Sequence, residues 1–158
     1  MKKITQTYLK IINEDLTRLY YKNSFIDFSF LTEDDHFLKR VNDRSRNPYS
    51  EDQILKIIHD GIDSFIEDNR YKIYRDNPGQ KNAKLFSIIS KSHDKIKIKV
   101  MLWKNSKKEK ADAILYDKPI VDYMCRLKTI LTNDMYDYKN DVPIIVENNE
   151  DEILIYVN

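Results

Sequence analysis

Three residues that can hold an anion and exchange a proton with it recur at four-residue spacing: His36, Arg40 and Arg44. On a helix, at 100° per residue, their side chains would spread over only about 80° of the circumference. Phe37 and Val41 would fall on the adjoining face and pack inward. The spacing therefore predicts a stripe of one imidazole and two guanidinium groups beside an apolar face, which suits a phosphodiester.

The first of these residues, His36, has surroundings that favour its neutral form. Nearby cations and the positive end of a helix both disfavour the imidazolium, so we expect its pKa to be lowered. A neutral imidazole at neutral pH is what a general base requires. The alternative is a surface histidine beside arginines that pair with Asp43 or Glu33.

Two further histidines follow, at positions 59 and 93. His59 lies in the next predicted helix, and a short loop would let it face the same cleft as His36. Two histidines, one accepting and one donating a proton, with arginine stabilising the phosphorane, cleave RNA without a metal. Alternatively, His59 is a partly buried structural residue. We expect His93 on the surface, in a turn.

Lysines alternate with apolar residues in the segment 95–103, which ends in the only tryptophan. Lys97, Lys99 and Trp103 would line one strand face, where lysines could contact phosphates and the indole could stack on a base. The alternative is a solvated sheet face. Tyr49 and Tyr123 are further stacking candidates.

The charges are unevenly distributed, although the net charge is only +1. Residues 91–110 hold eight lysines against two acids, a net of +6, and residues 133–158 hold seven acids against one lysine, a net of −6. We expect one end of the fold to attract polyanions and the other to repel them. The alternative is that both runs are solvated strand faces.

The composition indicates a folded protein: of 158 residues, 34% are charged and 41% are hydrophobic. We expect one domain over 1–158, with a helical part of about 1–68 and a sheet part of about 70–158. One cysteine excludes an internal disulfide, and the sequence carries no metal motif and no glycine-rich phosphate loop, so we expect no metal and no cofactor. With neither a signal peptide nor a membrane span visible, the expected location is the cytoplasm.

Hydrophobic periodicity predicts helices in the first part of the chain and strands in the second, which is typical of an α+β fold with the helices on one side of an antiparallel sheet. Thr32 and Ser50 are the expected caps of the second and third helices. A C-terminal hairpin would pair 143–147 with 153–157. The remaining expected helices are 4–22, 33–46 and 51–67, and the remaining expected strands are 26–30, 70–75, 85–90, 95–103, 111–116 and 123–132, with a turn at 77–79.

The run from His36 to Arg44, followed by an amphipathic helix with His59 and then a sheet, resembles phage endoribonucleases of the RegB-like family. That family belongs to a group with a RelE/barnase/EndoU/colicin-like nuclease fold. The resemblance implies that His36, Arg40 and His59 are catalytic and that Arg44 is the second arginine of the pattern. The sequence departs from the family in a longer loop at 45–50 and in its acidic C-terminal segment.

The resemblance implies a metal-independent, phage-encoded endoribonuclease that cuts single-stranded mRNA by attack of the 2′-hydroxyl. A host translation-associated factor is a further candidate partner. One alternative is a non-catalytic phage protein of the same fold that binds a host protein or nucleic acid, and another is a DNA-binding regulator. The expected RNA-binding residues are Arg44, Arg46, Lys97, Lys99 and Trp103.

Overall fold

The structure is a computed structural model that describes residues 16–21, 24–30, 36–117, 120–135, 137 and 140–147. These residues form a sheet with helices packed against it, so the α+β class is confirmed. The elements are β1 (Leu16–Tyr21), β2 (Ser24–Phe30), α1 (His36–Asn42), α2 (Glu51–Glu67), a 3₁₀ turn (Asn69–Tyr71), α3 (Lys72–Arg75), a second 3₁₀ turn (Gln80–Asn82), β3 (Lys84–Ser90), β4 (His93–Lys104), α4 (Lys107–Leu115), β5 (Tyr123–Thr132) and β6 (Val142–Val146).

The sheet of the described residues has six strands in the order β1-β2-β5-β4-β3-β6. β4 is antiparallel to both of its neighbours, and β1 is antiparallel to β2. The pairs β2–β5 and β3–β6 are parallel, so the sheet is mixed and not antiparallel throughout as expected. Each parallel pair requires a long crossover connection. Between β2 and β5 the chain passes through α1, α2, α3, β3, β4 and α4, and between β3 and β6 it passes through β4, α4 and β5.

One face of the sheet, here called the helix face, carries the apolar core. Its strand residues include Phe28, Ile88 and Val100, which are almost completely buried, together with Phe37 of α1 and Ile58 of α2. α1 lies along β5, and α2 lies across β3 and β6. α1 and α2 therefore share a single core with the sheet, and removing its apolar surface from water is the main stabilising term.

The helix α2 has the predicted bounds and the predicted cap. The backbone N–H of Ser50 donates to Gln53 Oε1 at 2.8 Å, and the backbone N–H of Gln53 donates to Ser50 Oγ at 3.3 Å. This capping box satisfies two backbone groups that the first turn leaves without helical partners.

The strands predicted at 26–30, 85–90, 95–103 and 123–132 are confirmed within β2, β3, β4 and β5. The predicted turn at 77–79 is confirmed too. Gly79 has a φ of 110°, which favours glycine, and its N–H donates to the carbonyl of Lys104 at 2.7 Å.

The helix predicted over 4–22 is wrong for residues 16–21, which form β1, and residues 4–15 lie outside the described part of the chain. β1 pairs antiparallel with β2, with Tyr21 opposite Ser24. This pairing with the next strand overrides a pattern that also fits a helix. Since β1 and β2 precede α1, the division into a helical part and a sheet part is wrong as well.

The second helix ends earlier than predicted: α1 covers His36–Asn42, so the prediction of 33–46 is wrong for residues 43–46, and residues 33–35 lie outside the described part of the chain. Residues 44–46 form a turn, and the side-chain amide of Asn47 donates to the carbonyl of Val41 at 2.8 Å. The carbonyl of Val41 therefore accepts from a side chain and not from the backbone N–H of a further helical turn, so the helix ends here. The predicted cap, Thr32, lies outside the described residues.

Two predicted strands are helical. Residues 70–75 form a 3₁₀ turn and α3, because the Asp68 carboxylate accepts from the N–H of Arg70 at 2.9 Å and starts a helical turn. Residues 111–116 belong largely to α4, which Ser106 and Glu109 open with a capping box.

The predicted C-terminal hairpin is confirmed only in its first strand. β6 occupies Val142–Val146, but its partner among the described residues is β3, in parallel. Residues 153–157 lie outside the described part of the chain.

We predict that Gly61→Ala lowers the free energy of unfolding, measured by urea denaturation. A methyl group at Gly61 would lie 2.5 Å from Ile88 Cδ1 and 2.9 Å from Cγ1 and Cγ2. Overpacking of this kind costs about 1–3 kcal/mol, whereas alanine gains about 1 kcal/mol over glycine inside a helix.

The control is the same substitution in an Ile88→Ala background. There the clash is absent, so Gly61→Ala should raise the free energy of unfolding through helix propensity alone. An equal loss in both backgrounds would contradict the proposed contact.

Candidate functional site: a basic cleft at the end of β4 and β5

His36 is the first described residue of α1, and its side chain is held against β5. The imidazole Nε2 lies 2.8 Å from Thr129 Oγ1, and Phe37 and Val41 anchor the helix in the core. β5 has an irregularity at this point: Thr129 pairs with Lys99 and Leu127 with Val100, so Lys128 is skipped. Such bulges re-aim side chains.

The pKa of His36 is lowered from its ordinary value, in the predicted direction. Partial burial is the largest cause, and the charges of Arg40 and Lys39 add to it. The neighbouring cations can be identified from the sequence, whereas the burial of His36 depends on how α1 packs against β5. A lowered pKa keeps this exposed imidazole neutral at neutral pH.

The predicted three-residue stripe is only partly correct, because Arg44 lies beyond the end of α1. His36 and Arg40 remain on the helix, and Arg44 and Arg46 lie in the turn that follows. A guanidinium nitrogen of Arg44 donates to the carbonyl of Tyr49. Arg46 Nε lies 3.8 Å from Asp43 Oδ2, an exposed ion pair.

An open cleft of about 760 Å³ lies where β4 begins and β5 ends. Three of its residues are cations, Arg44 and Arg46 from the turn after α1 and Lys95 from β4, and one, Asp134, is an acid. A hydrogen bond from Thr132 is the main reason that the pKa of Asp134 is lowered, and the charge of Arg46 contributes. The full lining is Arg44, Ser45, Arg46, Pro48, Lys95, Thr132, Asn133, Asp134 and Met135.

The structure does not bring His36 and His59 together at this cleft, since neither lines it. His59 is only 3% exposed, and its Nδ1 lies 3.3 Å from Asp60 Oδ1. Asp60 also accepts from Lys56 Nζ at 3.1 Å. A histidine buried in this way does not reach a substrate, so the geometry favours the structural alternative for His59.

The lysine face of β4 is not the free cationic surface that the alternation predicted. Lys99 is 1% exposed, and its ammonium group contacts Ser87, Asp137 and Asp141. Lys97 Nζ donates to Asp137 Oδ2 at 2.8 Å. Burial alone would raise the pKa of Asp137, but the two lysines outweigh it and hold this pKa at about 2.

Trp103 is also buried, at 5% exposure, with the Arg126 guanidinium 5.5 Å from its ring centroid. A base cannot stack on it without displacing this cover. Tyr123, a further stacking candidate, is 7% exposed and packs in the core.

The basic and acidic runs of the sequence contact each other and do not occupy opposite ends. Lys97 and Lys99 meet Asp137 and Asp141, and Lys91 Nζ lies 2.7 Å from Glu147 Oε1. The expectation of one attracting and one repelling end is therefore wrong among the described residues.

His93 is more enclosed than a surface turn residue. It opens β4 and packs edge-on against Tyr49, with ring centroids 4.7 Å apart. Its Nδ1 lies 3.2 Å from Ser90 Oγ, and its Nε2 lies 3.4 Å from the side-chain nitrogen of Gln53. These contacts join the loop before α2 to the β3–β4 turn.

No family model, no curated protein and no solved structure matches this chain. The resemblance to the RegB-like family therefore stays a prediction. Among the described residues, no group of three or more His, Cys, Asp or Glu side chains is arranged to hold a metal ion. No helix in the same residues is long and apolar enough to cross a bilayer.

We predict that the His36 imidazole titrates below pH 6.5 in an NMR-monitored titration, and that Arg40→Gln raises its pKa part of the way back. The recovery is partial because burial, the largest cause, remains. Because the pKa of His36 is lower in the folded chain, the unfolded chain binds more protons. The contribution of His36 to the free energy of unfolding therefore falls as the pH drops through about 6.5.

Arg70→Gln is the control, since Arg70 is an exposed arginine that pairs with Asp68. It should leave the pKa of His36 unchanged. A normal pKa in the wild type, or equal effects of the two substitutions, would contradict the assignment.

Proposed function

We propose that the protein binds the phosphodiester backbone of single-stranded RNA in the basic cleft. The observation that carries this proposal is the convergence of Arg44, Arg46 and Lys95 on one opening, although Lys95 is about fifty residues away in the sequence. Three cations against one carboxylate leave the lining positively charged, and such linings bind phosphates with release of counterions.

The shape of the site favours a single strand over a duplex. A flexible strand can enter a concave opening, whereas reading a duplex groove requires a helix or strand that protrudes into it. Ser45, Thr132 and Asn133 add hydroxyl and amide groups that can bond to phosphate or ribose oxygens.

We predict that Arg46→Gln and Lys95→Gln each weaken binding of a fluorescently labelled single-stranded RNA about fivefold or more, measured by anisotropy. Each should also make the slope of log Kobs against log salt shallower by about one, because one phosphate contact is lost.

Matched controls exist for both substitutions. Lys84 is an exposed lysine at the start of β3. It pairs with Leu102 near the end of β4, whereas Lys95 lies near the beginning of β4, so Lys84 is remote from the cleft. Arg70, like Arg46, is exposed and faces an aspartate. Lys84→Gln and Arg70→Gln should leave the Kd unchanged, and no RNA binding by the folded wild type would overturn the proposal.

A second candidate function is metal-independent cleavage of the bound RNA, as in the RegB-like family. The observation that favours it is an exposed, neutral His36 on α1, bonded to Thr129 of the strand whose last residue, Thr132, lines the cleft. Thr129 and Thr132 are three residues apart, about 10 Å along a strand.

In this reaction His36 takes the proton of a ribose 2′-hydroxyl, and the 2′-oxygen bonds to the adjacent phosphorus. The bond from phosphorus to the 5′-oxygen breaks, and the leaving oxygen takes a proton from solvent. Arg40 lowers the energy of the charge on the phosphorane. The products are a 2′,3′-cyclic phosphate and a 5′-hydroxyl.

We predict that the wild type cleaves single-stranded RNA in EDTA to cyclic-phosphate products, and that His36→Ala lowers the rate about 100-fold or more, as expected for loss of a general base. An RNA with a single 2′-deoxyribose at the cleaved position should be resistant, because it lacks the nucleophile. Product ends are read by mass spectrometry.

His59→Gln distinguishes the roles of the two histidines. Because His59 is buried, its substitution should lower the stability of the fold and leave the cleavage rate of the folded protein unchanged. RNA binding without any cleavage would leave the protein as a non-catalytic binding module. Cleavage that is unaffected by His36→Ala would overturn the proposed base.

A further inference from the structure

The segment Asp43–Ser50, here called the α1–α2 loop, is held by its own hydrogen bonds. The N–H groups of Arg46 and Asn47 donate to the carbonyl of Asp43 at 3.1 and 2.8 Å. The hydroxyl of Ser45 donates to the Asp43 carboxylate at 2.6 Å. These bonds form the loop within one turn of the end of α1, so Arg44 and Arg46 are carried by a folded segment.

Asn47 connects this loop to both of its ends. It is a polar residue with only 1% of its surface exposed. Its amide nitrogen donates to the carbonyl of Val41 at 2.8 Å, and its amide oxygen accepts from the N–H of Tyr49 at 3.0 Å. The carbonyl of Tyr49 in turn accepts from the Arg44 guanidinium. One side chain therefore links the last turn of α1 to the residue that holds Arg44.

We propose that Asn47 is the positioning residue of the basic cleft: its side-chain amide fixes the loop conformation that presents Arg44 and Arg46 to an RNA phosphate. This inference rests on the proposed function. Asn47 does not line the cleft, so it acts through Val41 and Tyr49 and not by touching the ligand. A preformed loop raises the affinity for RNA, because the entropy of ordering its arginines is lost during folding and not on binding.

The test is Asn47→Asp, with RNA binding measured over a series of salt concentrations. The substitution keeps the oxygen that accepts from Tyr49 and replaces the donor to Val41 with an oxygen that repels that carbonyl. We expect the Kd to rise about tenfold and the slope of log Kobs against log salt to become shallower by about one, as one arginine contact is lost.

The chain offers a matched control in Asn105, whose side-chain amide donates to the carbonyl of Val121 at 2.6 Å. This bond also joins a loop asparagine to a backbone carbonyl, but the loop that Asn105 holds contributes no residue to the cleft, whereas the α1–α2 loop contributes Arg44 and Arg46. Asn105→Asp should lower thermal stability in the same direction as Asn47→Asp and leave both the Kd and the salt slope unchanged. Because Asn47→Asp also adds a negative charge beside Arg46, Asn47→Ser is measured alongside it, and a merely structural role for Asn47 would leave the Kd and the salt slope of Asn47→Ser unchanged.

A second comparison uses Arg44→Gln. If Asn47 acts by placing Arg44, the effects of Asn47→Asp and Arg44→Gln on the free energy of RNA binding are not additive. The double variant should then bind RNA within about twofold of the weaker single variant. Asn47→Ser replaces Asn47→Asp if the buried carboxylate prevents folding, because a hydroxyl introduces no charge.

The outcomes separate the two proposals. A folded wild type that binds no RNA overturns the proposed function. A wild type that binds RNA, with an unchanged Kd and salt slope in folded Asn47→Asp or Asn47→Ser, overturns the role of Asn47 alone. Full additivity with Arg44→Gln overturns it as well.

Discussion

The close seating of α2 on β3 is the constraint from which the cleft is built. Gly61 has no Cβ, and this lets the helix backbone approach the side chain of Ile88 more closely than any other residue would allow. The position of α2 fixes Ser50 at its start, and therefore the far end of the α1–α2 loop. From there Tyr49 packs on His93 of the sheet, and its carbonyl holds Arg44. A packing contact in the core thus determines where a surface guanidinium points.

Local signals predicted the elements that carry a clear signal in their own residues. α2 has a complete capping box and an apolar face, β4 alternates clearly, and β3 is rich in apolar residues that favour strands, so each could be identified from its own residues. β1 could not, because its residues fit a helix as well as a strand and only pairing with β2 decides between them. The parallel pairs β2–β5 and β3–β6 join segments far apart in the sequence, and no turn signal indicates them. The end of α1 depends on Asn47, a single side chain that periodicity does not register.

The residues of the candidate site could be predicted from the sequence only in part. Arg44 and Arg46 were identified by type and spacing, although the turn that carries them was expected to be helix. Lys95 belongs to the alternating strand, but nothing local separates it from Lys97 and Lys99, which are ion-paired. The carboxylates that pair with those two lysines, Asp137 and Asp141, lie about forty residues later in the sequence. Burial of His59 also depends on how α2 packs, which its spacing relative to His36 does not reveal.

The pairing of the basic and acidic runs explains why the cleft, and not the long lysine strand, is the better anion site. An ammonium group buried between two carboxylates, as Lys99 is, would have to break those ion pairs before it met a phosphate, and breaking a buried pair is costly. Arg46 has only an exposed contact at 3.8 Å to Asp43, and exposed pairs are weak. A phosphate that enters the cleft can therefore compete for Arg46 at little cost. The position of the proposed anion site thus follows from where carboxylates neutralise lysines, more than from where lysines are most numerous.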